Sequence, residues 1–513
     1  MLSVRKASIF ICISNLTNIA NNILTFEQMK PCQPDCYNHS VAIFTGEKIM
    51  KICVLSCSPK GENSLGLQSA KFLQQFYPDD VFDIHFTTKP DCPDEVVDAA
   101  ADADLILILS SIFHLNVHGQ MMSMLDQLSA KLKAKLGDGI DKKYFAYMTS
   151  SNFLYDIGAH KYVTHWARSE KLNFLRLLSL KDESLLTEQG REELYRWFAY
   201  TKDTIELLRN GGVPKVTEKR KVSILNDHLS EASVNRVKSL YEERGCEVDV
   251  VNLSEYDVKP CNACFACYSN RTCCMKDDVP AIADRLGTNT DLMLTMGTLK
   301  RGMLSQKFKF WTDRHVQFGR AGTSDEFVRM TLVESDEEPL ERQQSMTEFA
   351  QWEEAINGIG RDYGAGTYFM RTGDEEIDIT RYVDDTILIM NNELVGPRNV
   401  FSECLNTRFA ELAHLLQFMV PLDYAHFKKD GYYKPMPINT NVRYVNDVKG
   451  GIMSCKMRLS AYDMARAEVG STPKLTKRRT KYKGMSYLEH LRKGDAEDSG
   501  SKGGFLGLFG KKK

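Results

Sequence analysis

The sequence predicts an α/β protein with two doubly wound parallel sheets in tandem. Three observations lead there. Short apolar runs beginning at Lys51, Asp104 and Lys143 each end in a small polar loop, and a helix-forming stretch follows each loop. The same alternation restarts at Lys221 and continues through runs beginning at Glu247 and Asp291. Between the two blocks lies a turn-rich basic junction, Asn210-Gly-Gly-Val-Pro214 leading into Lys215-Val-Thr-Glu-Lys-Arg-Lys221. Brief apolar runs suit strands buried on both faces, and strand alternating with helix is the signature of a parallel sheet.

The chain has 513 residues, enough for several domains, with 43% hydrophobic residues to build their cores. Charged residues make up 26% and the net charge is −2, a balance that calls for neither nucleic acid nor a membrane as the main partner. Residues 1–49 are expected to be a poorly ordered extension. Their apolar stretch Ala7-Ser-Ile-Phe-Ile-Cys-Ile-Ser14 is too short to span a bilayer and is followed by no convincing cleavage site. The 14 cysteines cluster at one site rather than spreading like a disulfide framework, which points to a reducing, cytoplasmic setting.

Each element of the first block, residues 50–212, has its own signal. Lys51-Ile-Cys-Val-Leu55 reads as a central strand, and Leu65 to about Phe76 as a helix. The loop between them, Ser56-Cys57-Ser58-Pro59-Lys60-Gly61-Glu62-Asn63-Ser64, offers hydroxyls, amides and a helix N-terminus to an anion. It contains no dinucleotide fingerprint and no P-loop lysine motif. Val81-Phe-Asp-Ile-His-Phe86 alternates as a strand, and Asp94 to Ala103 reads as a helix. The strand from Asp104 ends in Ser110-Ser111-Ile112-Phe113-His114, and the strand from Lys143 ends in Thr149-Ser150-Ser151-Asn152-Phe153. In a doubly wound sheet these strand ends gather along one edge, where ligands bind. His114, His118, His160 and His165 match no tight metal-ligand spacing and read as surface or packed histidines.

After the linker at 213–220, the second block covers 221–470. Its strand from Lys221 meets Asn226-Asp-His-Leu-Ser-Glu-Ala-Ser233, a loop carrying negative charge at Asp227 and Glu231. Next comes Cys261-Asn-Ala-Cys264-Phe-Ala-Cys267-Tyr-Ser-Asn-Arg-Thr-Cys273, with the spare thiol Cys274 and then Asp277-Asp278. Thiols so closely spaced allow one loop to wrap a small inorganic centre. An iron–sulfur cluster, a zinc ion and bare thiols all remain open on spacing alone. Asp277 or Asp278 is placed to cap the following helix. Residues 335–380 read as acidic loops, Asp385-Thr-Ile-Leu-Ile-Met390 as a strand, and 399–418 as an amphipathic helix lying on the sheet. Residues 471–513 read as a basic, disordered tail.

Ser58-Pro59-Lys60-x-x-Asn63-Ser64 resembles the phosphate loop of the NADPH-dependent FMN reductase family, and Ser111-Ile112-Phe113 stands at that family's second flavin loop. The second block resembles the iron–sulfur flavoproteins of the same superfamily. The resemblance rests on its cysteine spacing, the Asp277-Asp278 pair and Ser305-x-x-x-Lys309-x-x-x-Asp313-Arg314. The resemblance implies two flavodoxin-like sheets of strand order 2-1-3-4-5 with a C-terminal extension. It implies FMN held by Ser58, Lys60, Asn63 and Ser64, with Ser111, Ile112, Phe113, His114, Ser150 and Ser151 around the ring. It further implies a [4Fe-4S] cluster on Cys261, Cys264, Cys267 and Cys273, and NAD(P)H as a possible donor. The expected activity is electron transfer from NAD(P)H or a reduced carrier, through FMN and the cluster, to a small-molecule or protein redox partner. The expected state is a homo-oligomer in the cytoplasm, without stable membrane insertion. Two rival readings are a non-catalytic electron carrier and a zinc-stabilised module with degenerate flavin sites.

Overall fold

A computed structural model of the chain describes residues 49–61, 64–151, 156–181, 184–186, 188–264, 266–267, 271–314, 327–357, 366–369, 375–394, 400–429, 433 and 484–498. All of them belong to one compact unit, residues 48–513. Asn63 (expected to bind phosphate), the extension up to residue 48 and most of the stretch expected as a basic tail lie outside the described residues.

The first sheet is built from β1 (Lys51–Ser56), β2 (Val81–Phe86), β3 (Leu105–Ser111), β4 (Tyr144–Ser151), β5 (Asn173–Phe174) and β6 (Leu178–Lys181). The helices between and after them are α1 (Leu65–Gln74), α2 (Asp94–Asp102), α3 (Gly119–Leu136), α4 (Ile157–Ser169) and α5 (Glu188–Asn210). The strand order is β2-β1-β3-β4-β5, with β6 also pairing with β4. All neighbours run parallel, and Leu55 of β1 sits between His85 and Ile108 in register. The second sheet repeats the winding. It comprises β7 (Lys221–Asp227), β8 (Glu247–Asn252), β9 (Leu292–Thr298), β10 (Val328–Glu334) and β11 (Gly366–Phe369). Its helices are α6 (Glu231–Glu243), α7 (Val279–Gly287), α8 (Gln306–Asp313), α9 (Pro339–Asn357) and α10 (Glu375–Asn391). Its order, β8-β7-β9-β10-β11, is again 2-1-3-4-5. Two flavodoxin-like parallel sheets in tandem are therefore present.

A local detail marks the duplication. After β3, Phe113 and Asn116 exchange backbone hydrogen bonds across a turn in which His114 and Leu115 have positive φ. After β9, Lys300 and Met303 do the same across Arg301 and Gly302, also at positive φ.

Three large apolar clusters hold these layers. One covers the outer face of the first sheet, with Leu55, Ile108 and Tyr147 under Val97, Met124, Leu128 and Trp166 of α2 to α4. A second covers one face of the second sheet, with Leu225, Val251 and Val333 under Ile282, Trp311 and Phe349 of α7 to α9. The largest runs between the sheets. It joins Val54, Leu107 and Ala146 to Val222, Ile224 and Leu294 through Trp197 and Phe198 of α5, Tyr241 of α6 and Ile387 of α10.

Four expectations for the C-terminal half need correction. Residues 385–390 are not a strand but part of helix α10. The apolar run fooled the period test because α10 is enclosed by both sheets' helices, so it has no long polar face to reveal a helical repeat. Its placement is fixed by Arg244, whose Nε donates to Asp384 at 2.6 Å, and by Tyr241, whose hydroxyl meets Thr386 Oγ1 at 2.8 Å. The stretch 335–380 is not mainly loop, since α9 occupies 339–357 and buries Phe349 fully. The helix expected over 399–418 forms as α11 (Val400–Leu415), but its main neighbours are α9 and the following α12 (Pro421–Lys429) rather than a strand. Within the stretch expected as tail, α13 (Tyr487–Asp498) buries Tyr487, Leu488 and Leu491 against the second sheet's outer cluster. The backbone amides of Tyr487 and Leu488 donate to Thr288 and Asp284 of the α7 end at 3.0 and 2.8 Å.

Candidate functional site

The C-terminal edge of the first sheet collects the loops after β1, β3 and β4. Ser58 is buried at the end of the first loop's turn, where Gly61 N–H donates to its carbonyl and Lys60 N–H approaches its hydroxyl at 3.4 Å. Ser64 caps α1 by accepting from Leu67 N–H at 3.2 Å, and no acidic residue stands in that helix's first turn. The N-terminus of α1 therefore offers positive helix polarity, with no carboxylate in the helix's first turn to oppose an anion. Ser58 Oγ meets Ser111 Oγ at 2.8 Å, joining the loop after β1 to the loop after β3. Ile112 N–H donates to the Ser150 carbonyl at 3.3 Å, joining that loop in turn to β4.

The turn after β3 presents Phe113 and Leu115 to solvent, 57% and 61% exposed. Two adjacent non-glycine residues, His114 and Leu115, sit at φ 46 and 64, a costly conformation that surrounding contacts must hold. Gly158 of α4 supplies that support. A Cβ there would stand 2.6 Å from the Leu115 carbonyl oxygen, so only glycine allows the turn to rest on α4. Ser150 and Ser151 lie buried at the end of β4.

Two groups at this edge were not picked out as site residues from sequence. His118, preceding α3, is only 6% exposed and hydrogen-bonds the Ser111 backbone. Burial pulls its pKa below the ordinary histidine value, and the positive charge of Lys60 adds to the pull. Asp156, fully buried before α4, accepts from Thr149 Oγ1 at 2.7 Å and from Ser179 Oγ, and lies 3.4 Å from His160 Nε2. Burial likewise lowers the His160 pKa, with Asp156 opposing. His118 Nε2, Asp156 Oδ1, Ser56 Oγ and Ser151 Oγ are all buried without a hydrogen-bond partner, and all four belong to the strand ends or loops of this edge. Buried orphan polar atoms are rare in folded proteins and mark a place where a polar ligand or water completes the bonding. The hydroxyls, cation, helix end and orphan acceptors together fit a phosphate-bearing flavin. Nothing in the residue types alone identified His118 or Asp156, because their roles depend on loops that meet only in the fold.

The matching edge of the second sheet carries a buried carboxylate. Asp227, at the end of β7 and 1% exposed, accepts from both the backbone N–H and the hydroxyl of Ser305, at 2.7 and 2.6 Å. Ser305 caps α8 through Phe308 N–H. A Cβ at Gly297 would stand 2.8 Å from the Asp227 carbonyl oxygen, so β7 and β9 approach closely at this end. Glu231 adds a negative charge in the first turn of α6.

The cysteine loop leaves the second sheet between β8 and α7 and is pinched at its base. Asp257 N–H donates to Asp278 Oδ2 at 2.7 Å, Lys259 N–H to Asp277 Oδ2 at 3.0 Å, and Lys259 Nζ to the Lys276 carbonyl at 2.8 Å. Arg314 pairs with Asp277 from the α8 end, both side chains being buried. Asp278 stands at the N-cap position of α7 but does not cap it with its side chain; it is Asp277 Oδ1 that takes Val279 N–H, at 3.3 Å. Cys261 Sγ accepts from Ala263 N–H at 3.4 Å, and Cys264 Sγ accepts from the Ala266 backbone. Such bonds stabilise charge on sulfur, and the Ala266 bond together with the Cys274 contact lowers the Cys264 pKa. Burial and the thiols around it push Cys267 up to about 11. The donor set suits an iron–sulfur centre. Its arrangement does not yet form one: among the described residues no three potential ligands are gathered to hold a metal, and Cys264 pairs at 3.2 Å with Cys274 rather than Cys273.

Among the described residues, no helix is long and apolar enough to cross a membrane. No family model matches the chain, and no curated protein matches it. Several solved structures do. One is an NAD(P)H:quinone oxidoreductase from Methanothermobacter marburgensis, 16% identical, with 34% of this chain and 96% of that one aligned at a TM-score of 0.27. Another is RosB with bound 8-demethyl-8-formylriboflavin-5'-phosphate, 11% identical over 45% of this chain and 96% of that one, TM-score 0.25. A third is an NADPH-quinone reductase from P. pentosaceus, 10% identical over 32% of this chain and 99% of that one, TM-score 0.23.

Proposed function

We propose that the chain is an FMN-dependent oxidoreductase that holds its flavin at the C-terminal edge of the first sheet and nowhere else. The observation that carries the reading is the contrast between the two edges. One joins Ser58 to Ser111 beneath an uncapped-by-acid helix end and leaves four buried polar atoms without partners. The other carries the buried Asp227 carboxylate, bonded twice to Ser305, at the end of β7. Like charge in a confined site opposes phosphate, so the second edge would reject what the first accepts.

In this reading Ser58, Lys60 and Ser64 bind the phosphate, with Asn63 beside them in sequence. The turn from Ser111 to His114 and the β4 end at Ser150 and Ser151 flank the ring. FMN, when bound, supplies acceptance of a hydride and release of electrons. The protein's share is to bind and orient it, to shield one face with the Phe113 turn, and to keep His118 neutral beside it. NAD(P)H is the proposed donor and a small oxidant or redox protein the proposed acceptor. Cys261, Cys264, Cys267 and Cys273 are the proposed ligands of a [4Fe-4S] cluster, which would require the limbs of the loop to draw together around it.

The test is anaerobic purification followed by flavin, iron and sulfide analysis, then NAD(P)H oxidation with a quinone acceptor. FMN-dependent turnover is expected, with iron and sulfide lost together in Cys261→Ser. Bound FMN without turnover would favour an electron carrier over an enzyme. A protein that takes up neither flavin nor iron would end the proposal.

A further inference from the structure

We propose that Cys264 and Cys274 form a reversible intrachain disulfide, an oxidation site whose reaction partner is a small disulfide of the glutathione class. The proposal does not depend on flavin binding. Three observations carry it. The two sulfurs lie 3.2 Å apart, so a small rotation of either side chain brings them to bonding distance. Both residues are exposed, whereas Cys267 and Cys273 are half-buried and Cys53, Cys57, Cys92 and Cys246 are buried. Asn262 sets its amide nitrogen 3.8 Å and its oxygen 3.9 Å from the Cys274 sulfur, flanking the pair on the limb that carries Cys264.

The pinched base explains why the pair is stable in space. Asp277 and Asp278 tie residues 257 and 259 to the far limb, so Cys264 and Cys274 face each other across a closed excursion of the chain. Bringing them together therefore costs little additional loop entropy.

The chemistry balances as two successive exchanges. The Cys264 sulfur attacks one sulfur of the small disulfide, whose S–S bond breaks and releases one small thiol. The Cys274 sulfur then attacks Cys264 in the mixed disulfide, forming the Cys264–Cys274 bond and releasing the second small thiol. Two electrons pass from the protein to the reagent, and the two thiol protons leave with the two released thiols. Because Cys264 is also a proposed cluster ligand, the oxidised loop cannot complete that set. Oxidation and cluster loading are mutually exclusive.

The experiment equilibrates the full-length, metal-free protein in glutathione buffers of graded ratio, quenches with acid and alkylating agent, and maps peptides by mass. The expected result is loss of two hydrogens under oxidising buffers, a crosslink between Cys264 and Cys274, and full reversal by dithiothreitol. The crosslink should vanish in Cys274→Ser and persist in Cys273→Ser, with both variants checked for wild-type circular dichroism. Thiols that stay alkylatable at every ratio would overturn the proposal. So would a crosslink through Cys273 or Cys267 in the wild type, or accumulation of glutathione adducts alone. FMN titration of the same samples reads the flavin proposal separately, since the first-sheet edge contains none of these thiols.

Discussion

Ser58 and Ser111 show how much one hydroxyl can decide. Their 2.8 Å contact joins the loop after β1 to the loop after β3 at the edge proposed to take the flavin. Ser58→Ala should weaken FMN binding roughly fivefold, about 1 kcal/mol, while leaving the fold intact, as fluorescence titration and a melting curve would show. Gly158→Ala should weaken it as well, because the new Cβ pushes the Leu115 carbonyl and shifts the ring turn. The two buried histidines give a pH signature. Burial lowers the folded pKa of His118 and His160, so below about pH 6.5 the unfolded chain binds more protons than the folded one. Stability is therefore full above about pH 6.5 and declines as pH falls through that window. Urea midpoints should drop on acidification, and drop less in His118→Asn. Ser58 and Lys60 were legible in the sequence because their side-chain chemistry and loop position suffice. His118 was not, because what singles it out is the Ser111 backbone and the burial around it.

At the scale of elements, the same strand–loop–helix unit is used twice with opposite outcomes. The β7 loop spends its polar capacity on its own chain, since Asp227 anchors the N-terminus of α8 through Ser305. Asp227→Ala should cost about 2–3 kcal/mol by removing two bonds to a buried carboxylate and freeing the cap, and should leave FMN affinity at the first edge unchanged. A denaturant titration alongside flavin titration reads both. Docking of α13 offers a sharper steric test. A Cβ on Gly287 would stand 2.4 Å from the Tyr487 ring, so Gly287→Ala should release α13 and expose it to limited proteolysis without touching the first sheet. Strands that alternate with helices could be placed from sequence because their apolar runs are short and bounded. Helix α10 could not, because its residues 386–390 are all buried, and that run lacks the polar positions that distinguish a helix from a strand. The acidity of α9 had the opposite effect, hiding a helix whose buried contacts, such as Phe349, are few.

The whole molecule is held by a core that crosses from one sheet to the other. Helix α5 packs under β1 to β4 and also meets α10, which follows the second sheet, with Asn392 reaching Asp203 at 2.8 Å. A fragment ending at residue 212 would strip Tyr200 of Asp385 and Arg196 of the Asn392 carbonyl, and should aggregate or melt far below the full chain. The winding of both sheets could be read from the repeated pattern. Their common core could not, because it depends on α10, whose place no local signal reveals. Within this frame the central claim is an asymmetry: one edge open to flavin, one closed by its own carboxylate. The most direct measurement is an equilibrium titration of flavin-free protein with FMN, reading stoichiometry and affinity in the wild type, in Ser58→Ala and in Asp227→Ala. The account predicts saturation at a single FMN per chain in the wild type and in Ser58→Ala, with affinity reduced by Ser58→Ala and left unchanged at the first edge by Asp227→Ala. Two flavins per wild-type chain, none, or binding indifferent to Ser58 would contradict it.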